Sequence, residues 1–495
     1  MIVKNNLSEI QSYFSDAANY QGKGDAVFFP ETSDEISQIL KDANRSGTKV
    51  TISGNGTGLT GGRVPEGGIV ISTKKLNRII SINTSEKFAL TEVGVTLSEF
   101  KSKTEQAGLF YPPDPTENEC FIGGTIATNA SGAKSFKYGA TRNFVESLEI
   151  VLPDGDFLKL NRGDFVAENY NLKLITESGR EIEIEIPELN YPKTTKNAAG
   201  YYLKPNMDAI DLFIGAEGTL GVVTKAKLKL IDLPKNFISA VIFFSNVYDA
   251  LDFIADARSK SYETRKNQGV IDALALEFFD KNSLQFLKSD FDNINTNFEA
   301  AVWFEQEIFS DEDLILNEWI DLIEEHNGDI ENSWIAVDDK KRREFKFFRH
   351  AVSQKISEYV SQMGIRKVGT DTAVPHSGFN EFYSYSIQLV EKNQINYVVY
   401  GHFGDSHMHL NMLPKNENEF DLAKKLYFNI CAKAVELNGT VSAEHGIGKL
   451  KRKYFELMYS EKEILQMAKI KKMLDPNFIL NFGNIFSEKL LIQIK

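Results

Sequence analysis

A glycine-rich loop that directly follows a predicted strand is the feature that most constrains the fold. The strand is predicted over Lys49 to Ile52, and the loop runs from Ser53 to Gly62. Three of its glycines match Gly-x-Gly-x-x-Gly, which in the Rossmann fold opens a helix that holds the pyrophosphate of a dinucleotide. Here Pro65 and further glycines follow, so no regular helix can begin. Two interpretations remain: a nest of backbone N–H groups that binds phosphate, or a plain connector.

Two more segments of similar composition favour the phosphate-binding interpretation. One covers Ile122 to Gly139, and the other covers Ile214 to Thr224 and runs into a predicted strand. Each combines glycines with small hydroxyl or amide side chains, and three such segments are more than one phosphate requires. We therefore expect a long and mostly buried dinucleotide that backbone donors hold along its length.

A predicted hairpin near residue 400 brings a second kind of chemistry. His402, His407 and His409 are three of the seven histidines in the chain, and a two-residue turn would place His402 opposite His407. Because side chains in a strand alternate between faces, the three imidazoles then share one face of a sheet. Together with Glu444-His445, they suggest a divalent metal site with a base beside it. The alternative is a polar edge hairpin with solvated histidines.

Composition narrows the classes of function. The 56 basic and 69 acidic residues give a net charge of −13, which argues against a nucleic-acid partner. Basic runs at 340–343 and 449–453 are more often solvated helix faces than docking sites for an acidic redox partner. Two cysteines provide neither a disulfide framework nor a four-cysteine cluster.

The sequence also bears on location. No apolar run approaches the roughly 20 residues that span a bilayer, so we expect no transmembrane segment. The N-terminus is polar, of mixed charge and unlike a signal peptide. We expect a cytoplasmic protein, and peripheral attachment at the inner face of the membrane is left open.

Length and pattern predict more than one domain. From Ala26 onward, strands alternate with helices, which indicates an α/β arrangement with a parallel sheet at the start. After Pro234, the pattern fits an antiparallel sheet covered by helices, with a strand at 334–337 and a long helix from Asp338 to Met363. The predicted division is a helical lead-in (1–25), a first domain (26–234), a second domain (235–440) and a C-terminal segment (441–495).

The three glycine-rich segments, the hairpin His-x-Gly-Asp-x-x-x-His and the later Ala-Glu-His-Gly-Ile-Gly together resemble one flavoprotein family. This is the vanillyl-alcohol oxidase type, in its branch of D-2-hydroxy-acid dehydrogenases, and the resemblance covers nearly the whole chain. It implies an α+β fold, in which a two-part FAD-binding α/β domain is joined to a substrate (cap) domain with an antiparallel sheet covered by helices. It also implies that the C-terminal segment returns to the flavin domain.

By this resemblance the chain binds FAD along its glycine-rich segments. Ser53 to Gly62 holds the pyrophosphate, Pro112 to Thr116 and Gly123 to Gly139 border the isoalloxazine and ribityl groups, and Glu217 to Val223 closes around the adenine end. No histidine precedes position 326, so a histidyl link to FAD is not expected. The residues implied in FAD binding are Ser53, Gly54, Asn55, Gly56, Thr57, Gly58, Leu59, Gly61, Gly62, Pro112, Asp114, Gly123, Gly124, Thr128, Asn129, Ser131, Gly132, Tyr138, Gly139, Glu217, Gly218, Gly221, Val222, Val223 and Asn481.

The resemblance also assigns a metal site to His402, His409 and Glu444, with zinc or manganese as the ion that suits two imidazoles and a carboxylate. His407 stands where many relatives are expected to have asparagine. It could therefore be a substitute ligand, a substrate contact or a solvated side chain.

Two further residues receive catalytic roles from the resemblance. His445 is expected to be the general base, and the alternative is that it only orients Glu444. Arg349 is expected to bind the substrate carboxylate with two parallel hydrogen bonds, and the alternative is a solvated side chain at the end of a basic run.

The implied reaction is FAD-dependent oxidation of a D-2-hydroxy acid of the D-lactate, glycolate or D-2-hydroxyglutarate class to the 2-oxo acid. A quinone, an electron-transfer flavoprotein or a similar acceptor would reoxidise the flavin, and a homodimer is left open. The alternatives are an enzyme like the ether-lipid synthases of the same flavin family, a metallohydrolase on the histidine hairpin, and a protein that stores flavin or metal.

Overall fold

The computed structural model describes residues 1–267, 269–291, 294–295, 297–336 and 339–494. The strands in chain order are β1 (Ile2–Lys4), β2 (Ala26–Phe29), β3 (Val50–Ser53), β4 (Ile69–Ser72), β5 (Ile79–Asn83), β6 (Phe88–Glu92), β7 (Leu109–Phe110), β8 (Val145–Val151), β9 (Phe157–Asn161), β10 (Asn171–Ile175), β11 (Glu181–Glu185), β12 (Val222–Lys229), β13 (Ile231–Asp232), β14 (Phe237–Phe244), β15 (Ala273–Asp280), β16 (Ala300–Glu307), β17 (Gly328–Ala336), β18 (Val368–Gly369), β19 (Thr372–Ala373), β20 (Tyr397–Gly401) and β21 (His407–Met412). The α-helices are α1 (Leu7–Ile10), α2 (Ser33–Ser46), α3 (Leu97–Gln106), α4 (Ile122–Thr128), α5 (Ser135–Tyr138), α6 (Ile210–Phe213), α7 (Val247–Asn267), α8 (Lys281–Leu287), α9 (Glu312–Glu325), α10 (Asp339–Met363), α11 (Phe379–Lys392), α12 (Glu417–Glu436), α13 (Arg452–Met458), α14 (Glu461–Leu474) and α15 (Glu488–Ile492).

The N-terminal half contains two main sheets. The first has the order β1-β2-β4-β3, in which β2, β4 and β3 run parallel, as the alternation of strands and helices predicted. Helix α2 connects β2 to β3, and its start is fixed because the hydroxyl of Thr32 accepts a hydrogen bond from the N–H of Glu35. The second sheet has the order β5-β6-β12-β8-β9 and is antiparallel.

The C-terminal half is built on an eight-stranded antiparallel sheet. Its order is β17-β14-β16-β15-β20-β21-β18, and β19 also pairs with β21. Helices α7 and α9 pack on one face of this sheet, and α8 and α10 pack on the other face. Successive side chains of β14 therefore belong to two different core clusters. Burial on both faces explains why β14 and β15 are mostly apolar, with Ser239, Glu277 and Asp280 as the exceptions. Val337 and Asp338, where we predicted the end of a strand and the start of the long helix, lie outside the described residues.

Among the residues that the structure describes, no helix combines the length and the apolar character needed to cross a bilayer.

The C-terminal segment packs against the first sheet. Leu480 forms a parallel bridge with Val50, and the side chain of Asn481 accepts a hydrogen bond from the N–H of Ile52 and donates one to the carbonyl of Glu217. The loop that follows β3 is therefore held from both sides, by its own parallel sheet and by a segment that lies more than 400 residues further along the chain.

A buried ion pair anchors this return. Lys471 Nζ lies 2.8 Å from Asp475 Oδ2, and their side chains are 1% and 0% exposed. The same ammonium donates to the carbonyls of Thr219 and Leu480, and so joins α14 to the turn before β12. All three donor positions of the lysine are thus used, which is the condition under which a buried charge is tolerated.

Replacing this lysine should destabilise the fold. In Lys471→Met, the carboxylate of Asp475 stays buried without its cation, which costs roughly 3–5 kcal/mol. We expect a lower urea midpoint for the variant in the FAD-free protein. Lys469→Met on the exposed side of the same helix is the matched control and should leave the midpoint unchanged. Equal midpoints for both variants would show that the ion pair does not anchor the C-terminal segment.

Candidate active site

One cavity of about 1160 Å³ lies between the glycine-rich segments and the eight-stranded sheet. This volume exceeds the roughly 300–1,000 Å³ of pockets that hold one drug-sized ligand, so the cavity has room for a large cofactor together with a small substrate. The glycine-rich loop after β3, helix α4 and the turn before β12 form one wall. The end of β20, strand β21, helix α10 and the segment around Glu444 form another.

The glycine-rich loop has the properties that a phosphate nest requires. Gly56 has a φ of +87°, a conformation that L side chains rarely adopt, and a Cβ on Gly58 would meet no atom within 4 Å. Gly54, Gly56, Gly58 and Gly62 line the cavity with backbone alone, so the residues present fit the diphosphate of FAD.

The structure separates the predicted FAD-binding residues into two sets. The residues that line the cavity are Gly54, Asn55, Gly56, Thr57, Gly58, Leu59, Gly62, Gly123, Gly124, Thr128, Ser131, Glu217, Gly218, Gly221, Val222, Val223 and Asn481. Those outside its lining are Ser53, Gly61, Pro112, Asp114, Asn129, Gly132, Tyr138 and Gly139.

Several residues of the second set support the wall from behind. Asp114 pairs with Lys101 at 2.6 Å, and a Cβ on Gly132 would lie 1.9 Å from the carbonyl oxygen of Asp114. Asn129 closes α4 and accepts a hydrogen bond from the N–H of Arg142. Their polar and backbone groups hold the glycine-rich turns in place.

The hairpin places its imidazoles as the predicted register requires. Strand β20 ends at Gly401, and the pairing of Tyr400 with His409 sets His402 opposite His407. The turn itself differs from the prediction, because a short 3-10 helix and a left-handed Ser406 (φ 51°) connect the strands instead of two residues. The N–H of His407 donates to the carbonyl of His402 across this longer turn.

Four side chains converge on one point at the end of this hairpin. Ligand atoms of His402, His407, His409 and Glu444 all lie within 4.8 Å of one another. The carboxylate of Glu444 is 3.3 Å from His402 Nε2, 3.8 Å from His407 Nδ1 and 3.9 Å from His409 Nε2. Three nitrogens and a carboxylate at this spacing match the donor set of a divalent transition metal.

Each imidazole is oriented by a partner on its far side. His402 Nδ1 lies 2.6 Å from Glu277, His407 Nε2 lies 3.0 Å from Asp371, and His409 Nδ1 lies 3.2 Å from the carbonyl of Thr370. Such outer partners are usual for metal-binding histidines, because they fix the tautomer and leave the inner nitrogen with its lone pair.

His407 is the residue whose role the sequence left open. Its side chain is 0% exposed, so it is not solvated, and its Nδ1 is buried without a hydrogen-bond partner. An orphaned nitrogen beside Glu444 is costly unless something fills the position that it faces.

Lys196 completes the cluster, and pattern reasoning gave it no role. Its ammonium is buried, lies 2.7 Å from Glu444 Oε1 and 3.5 Å from Asp405 Oδ2, and donates to the carbonyl of Gly132. Burial opposes its charge, but the carboxylates of Glu444 and Asp405 outweigh this and raise the pKa of Lys196. The segment Lys196 to Tyr201 resembles a turn near the flavin in the same flavoprotein family, and this resemblance is the signal that could have pointed to Lys196.

Asp371 connects the cluster to His445. His445 Nδ1 lies 3.2 Å from Asp371 Oδ2, its side chain is 30% exposed, and it lines the cavity. Lys451 donates to the same carboxylate at 2.6 Å. Burial disfavours the charge of Asp371, but His445 and Lys451 hold its pKa well below the usual value.

The basic run 449–453 is not a solvated face, so that prediction is wrong at two positions. Lys449 and Lys451 are 5% and 8% exposed. Lys449 donates to Asn484, and burial lowers its pKa to about 8. Lys449 contacts Asn484 and Lys451 contacts Asp371 inside the protein. The composition of the run does not reveal these contacts.

Arg349 is buried in the cavity wall, so the solvated alternative is excluded. Its side chain is 5% exposed, and its Nε lies 3.1 Å from Glu277 Oε2. Burial disfavours its charge, but Glu277 and Asp114 raise the pKa of Arg349. Arg343, earlier on the same helix, is exposed.

The buried charges around the cluster favour the binding of a cation. Four carboxylates, those of Glu277, Asp371, Asp405 and Glu444, face three basic groups, those of Lys196, Arg349 and Lys451. With neutral imidazoles the balance is one negative charge, and a divalent metal would change it to one positive charge. The site with metal would then suit an anionic ligand.

Comparisons with known proteins agree with this geometry. The model of the FAD binding domain matches residues 24–161, and the model of the FAD linked oxidases, C-terminal domain, matches residues 233–485. A D-lactate dehydrogenase of Archaeoglobus fulgidus is 31% identical over 470 residues, which is 93% of this chain and 90% of that protein. The glycolate oxidase subunit GlcD of Bacillus subtilis is 29% identical over 483 residues, 96% of this chain and 92% of that protein.

Two further comparisons extend the set. A D-2-hydroxyglutarate dehydrogenase of Stutzerimonas stutzeri is 28% identical over 489 residues, 93% of this chain and 91% of that protein. A solved alkyldihydroxyacetonephosphate synthase superposes with a TM-score of 0.67 at 16% identity, over 97% of this chain and 81% of that one, which establishes a shared fold. The chain therefore belongs to the family of FAD-linked oxidases.

Proposed function

We propose that this protein oxidises a D-2-hydroxy acid of the D-lactate, glycolate or D-2-hydroxyglutarate class to the 2-oxo acid with FAD as the cofactor. One observation carries the proposal: a single cavity is lined both by the glycine-rich segments of an FAD-binding domain and by the side chains of His402, His409, His445, Glu444 and the buried Arg349. The names of the relatives, which are a D-lactate dehydrogenase, a glycolate oxidase subunit and a D-2-hydroxyglutarate dehydrogenase, support it.

We propose that residues 26–234 form the FAD-binding domain, residues 235–440 the substrate domain and residues 441–495 the return to the flavin. The cavity-lining residues of the glycine-rich segments would hold FAD without a covalent bond. When bound, FAD supplies the acceptor for the hydride that leaves the substrate's Cα.

We propose that His402, His409 and Glu444 hold a divalent metal, zinc or manganese. The orphaned Nδ1 of His407 supports its inclusion as a further ligand. When bound, such an ion withdraws electron density from the hydroxyl and carboxylate oxygens of the substrate and lowers the hydroxyl pKa.

The remaining steps belong to side chains. Arg349 would bind the substrate carboxylate and orient Cα–H toward the flavin, which a planar guanidinium does with two parallel hydrogen bonds. His445 would take the hydroxyl proton, because its Nδ1 is held by Asp371 and its ring lines the cavity. Quinone, an electron-transfer flavoprotein or a similar acceptor would then reoxidise the flavin.

Anaerobic reduction of the flavin tests the proposal. We expect the yellow protein to bleach on addition of at least one of D-lactate, glycolate, D-2-hydroxyglutarate or D-malate, while L-lactate leaves the absorption unchanged. A yellow protein that none of the four acids bleaches would contradict the proposal and favour flavin storage. A colourless protein would favour the metallohydrolase.

The linkage of FAD is a second test. Cys120 lines the cavity, but burial raises the pKa of its thiol to about 12, so it is a poor nucleophile. We expect acid precipitation to leave all the yellow colour in the supernatant, for the wild type and for Cys120→Ala alike. Colour in the pellet would contradict non-covalent binding, and its loss in Cys120→Ala would identify the linkage.

The role of Arg349 is tested by a charge-conserving change. Lysine keeps the charge but loses the two-pronged geometry, so Arg349→Lys should lower kcat/KM by roughly two decades, about 3 kcal/mol. FAD and metal content should not change. Arg343→Lys on the same helix is the exposed control and should have almost no effect. Equally small effects of both substitutions would mean that another residue binds the substrate carboxylate. Lys367 also lines the cavity and is the next candidate.

The role of His445 is tested by the rate of flavin reduction. Loss of a general base should slow anaerobic reduction in His445→Asn by roughly two to four decades, while substrate still binds. His326→Asn, at a histidine outside the cavity lining, is the control and should reduce normally. Near-normal reduction of His445→Asn would show that His445 is not the base and would make His407 the next candidate.

A further inference from the structure

We propose that Glu277 is a positioning residue that couples the metal-binding histidine to the carboxylate-binding arginine. This inference rests on the proposed function, because it concerns two groups of the proposed site. In this role Glu277 neither binds the substrate nor takes part in hydride transfer. It acts through His402 and Arg349.

Three separate elements of the fold meet at this one carboxylate. Glu277 lies on β15, which pairs with β16 on one side and with β20 on the other, and its side chain is 5% exposed. Its Oε1 lies 2.6 Å from His402 Nδ1, at the end of β20. Its Oε2 lies 3.1 Å from Arg349 Nε, on α10. The two oxygens are thus divided between two partners, so neither partner can move without affecting the other.

The contact with His402 determines which ring nitrogen is available. An ionised carboxylate can only accept hydrogen bonds, so His402 Nδ1 must carry the proton. Nε2, which faces Glu444 at 3.3 Å, is then the nitrogen whose lone pair can bind a metal. Glu277 therefore selects the tautomer of His402 that can bind a metal.

The contact with Arg349 determines which part of the guanidinium remains for a ligand. Glu277 uses Nε, on the side edge, and Nη1 lies 3.4 Å from His350. The two terminal nitrogens still carry N–H donors beyond these contacts, so they can form a two-pronged contact with a carboxylate. Glu277 also supplies the negative charge without which Arg349 would be an uncompensated cation in the wall.

Glu277→Gln separates the two roles. Arg349 can only donate, so the amide oxygen must face its Nε, and the amide NH2 then faces His402 Nδ1. His402 must accept there, which moves its proton to Nε2 and removes the lone pair that faces Glu444. We expect the affinity for zinc, titrated into metal-free protein, to fall roughly 10- to 100-fold, while FAD content stays the same.

Glu305→Gln is the matched control. Glu305 is a buried carboxylate on the neighbouring strand β16, lies 3.8 Å from Lys134 and does not line the cavity. The zinc affinity of the Glu305→Gln protein should equal that of the wild type. Unchanged affinity in Glu277→Gln beside a zinc-binding wild type would overturn the inference and leave the proposed function standing. A wild type that binds no zinc would instead contradict the proposed metal site.

A measurement on the wild type keeps the inference testable if Glu277→Gln does not fold. In protein labelled with 15N-histidine, the His402 signals can be assigned by their absence in His402→Gln. We expect the metal-free wild type to show a proton on His402 Nδ1, the nitrogen that faces Glu277. An unprotonated Nδ1 would overturn the inference whether or not the protein binds metal.

Discussion

The carboxylate of Asp371 is the group on which the arrangement of the site depends. It follows β18, is 1% exposed, and receives contacts from the ring of His407, from Lys451 and from the backbone N–H groups of Glu444 and His445. A buried charge is tolerated only when it is paired and hydrogen-bonded, so these donors cannot separate from it without a large cost. The sheet and the distant C-terminal segment are therefore joined at the point where the cavity requires both.

The same rule of pairing orders the rest of the cluster. Glu277 pairs with His402 and Arg349, Glu444 pairs with Lys196, and Asp405 lies near Lys196 and accepts a hydrogen bond from Thr195. Each carboxylate fixes groups from elements that are far apart in the chain. The precise placement of the imidazoles is thus a consequence of buried charge pairs, and the hairpin alone does not provide it.

These long-range pairs mark the limit of what the sequence could predict. The parallel start of the first sheet, the antiparallel sheet after Pro234 and the register that sets His402 opposite His407 follow from local patterns, and the structure confirms them. The partners Lys196 and Glu277 lie more than 100 residues from the histidines, and no periodicity connects them. The prediction for 449–453 failed for the same reason, because the partners of Lys449 and Lys451 are distant in sequence. Ser53 and Asn129 belong to glycine-rich segments and Asp114 lies between two of them. All three lie outside the cavity lining, since composition does not separate a ligand contact from its support.

The charge balance of the cluster links the proposed metal to the proposed substrate. Without a metal the four carboxylates and three basic groups at the cluster leave one excess negative charge among them, which does not favour an anion. A divalent ion reverses that sign, and the carboxylate of a hydroxy acid then meets a positive group in a region of low dielectric, where such terms are large. Each ligand should therefore increase the affinity of the other by the same factor, because coupling between two binding sites is reciprocal. Glu277 lies between the two positions and contacts His402 on the metal side and Arg349 on the anion side. Direct contacts through one side chain therefore connect the two positions, in addition to the electrostatic effect of the charges.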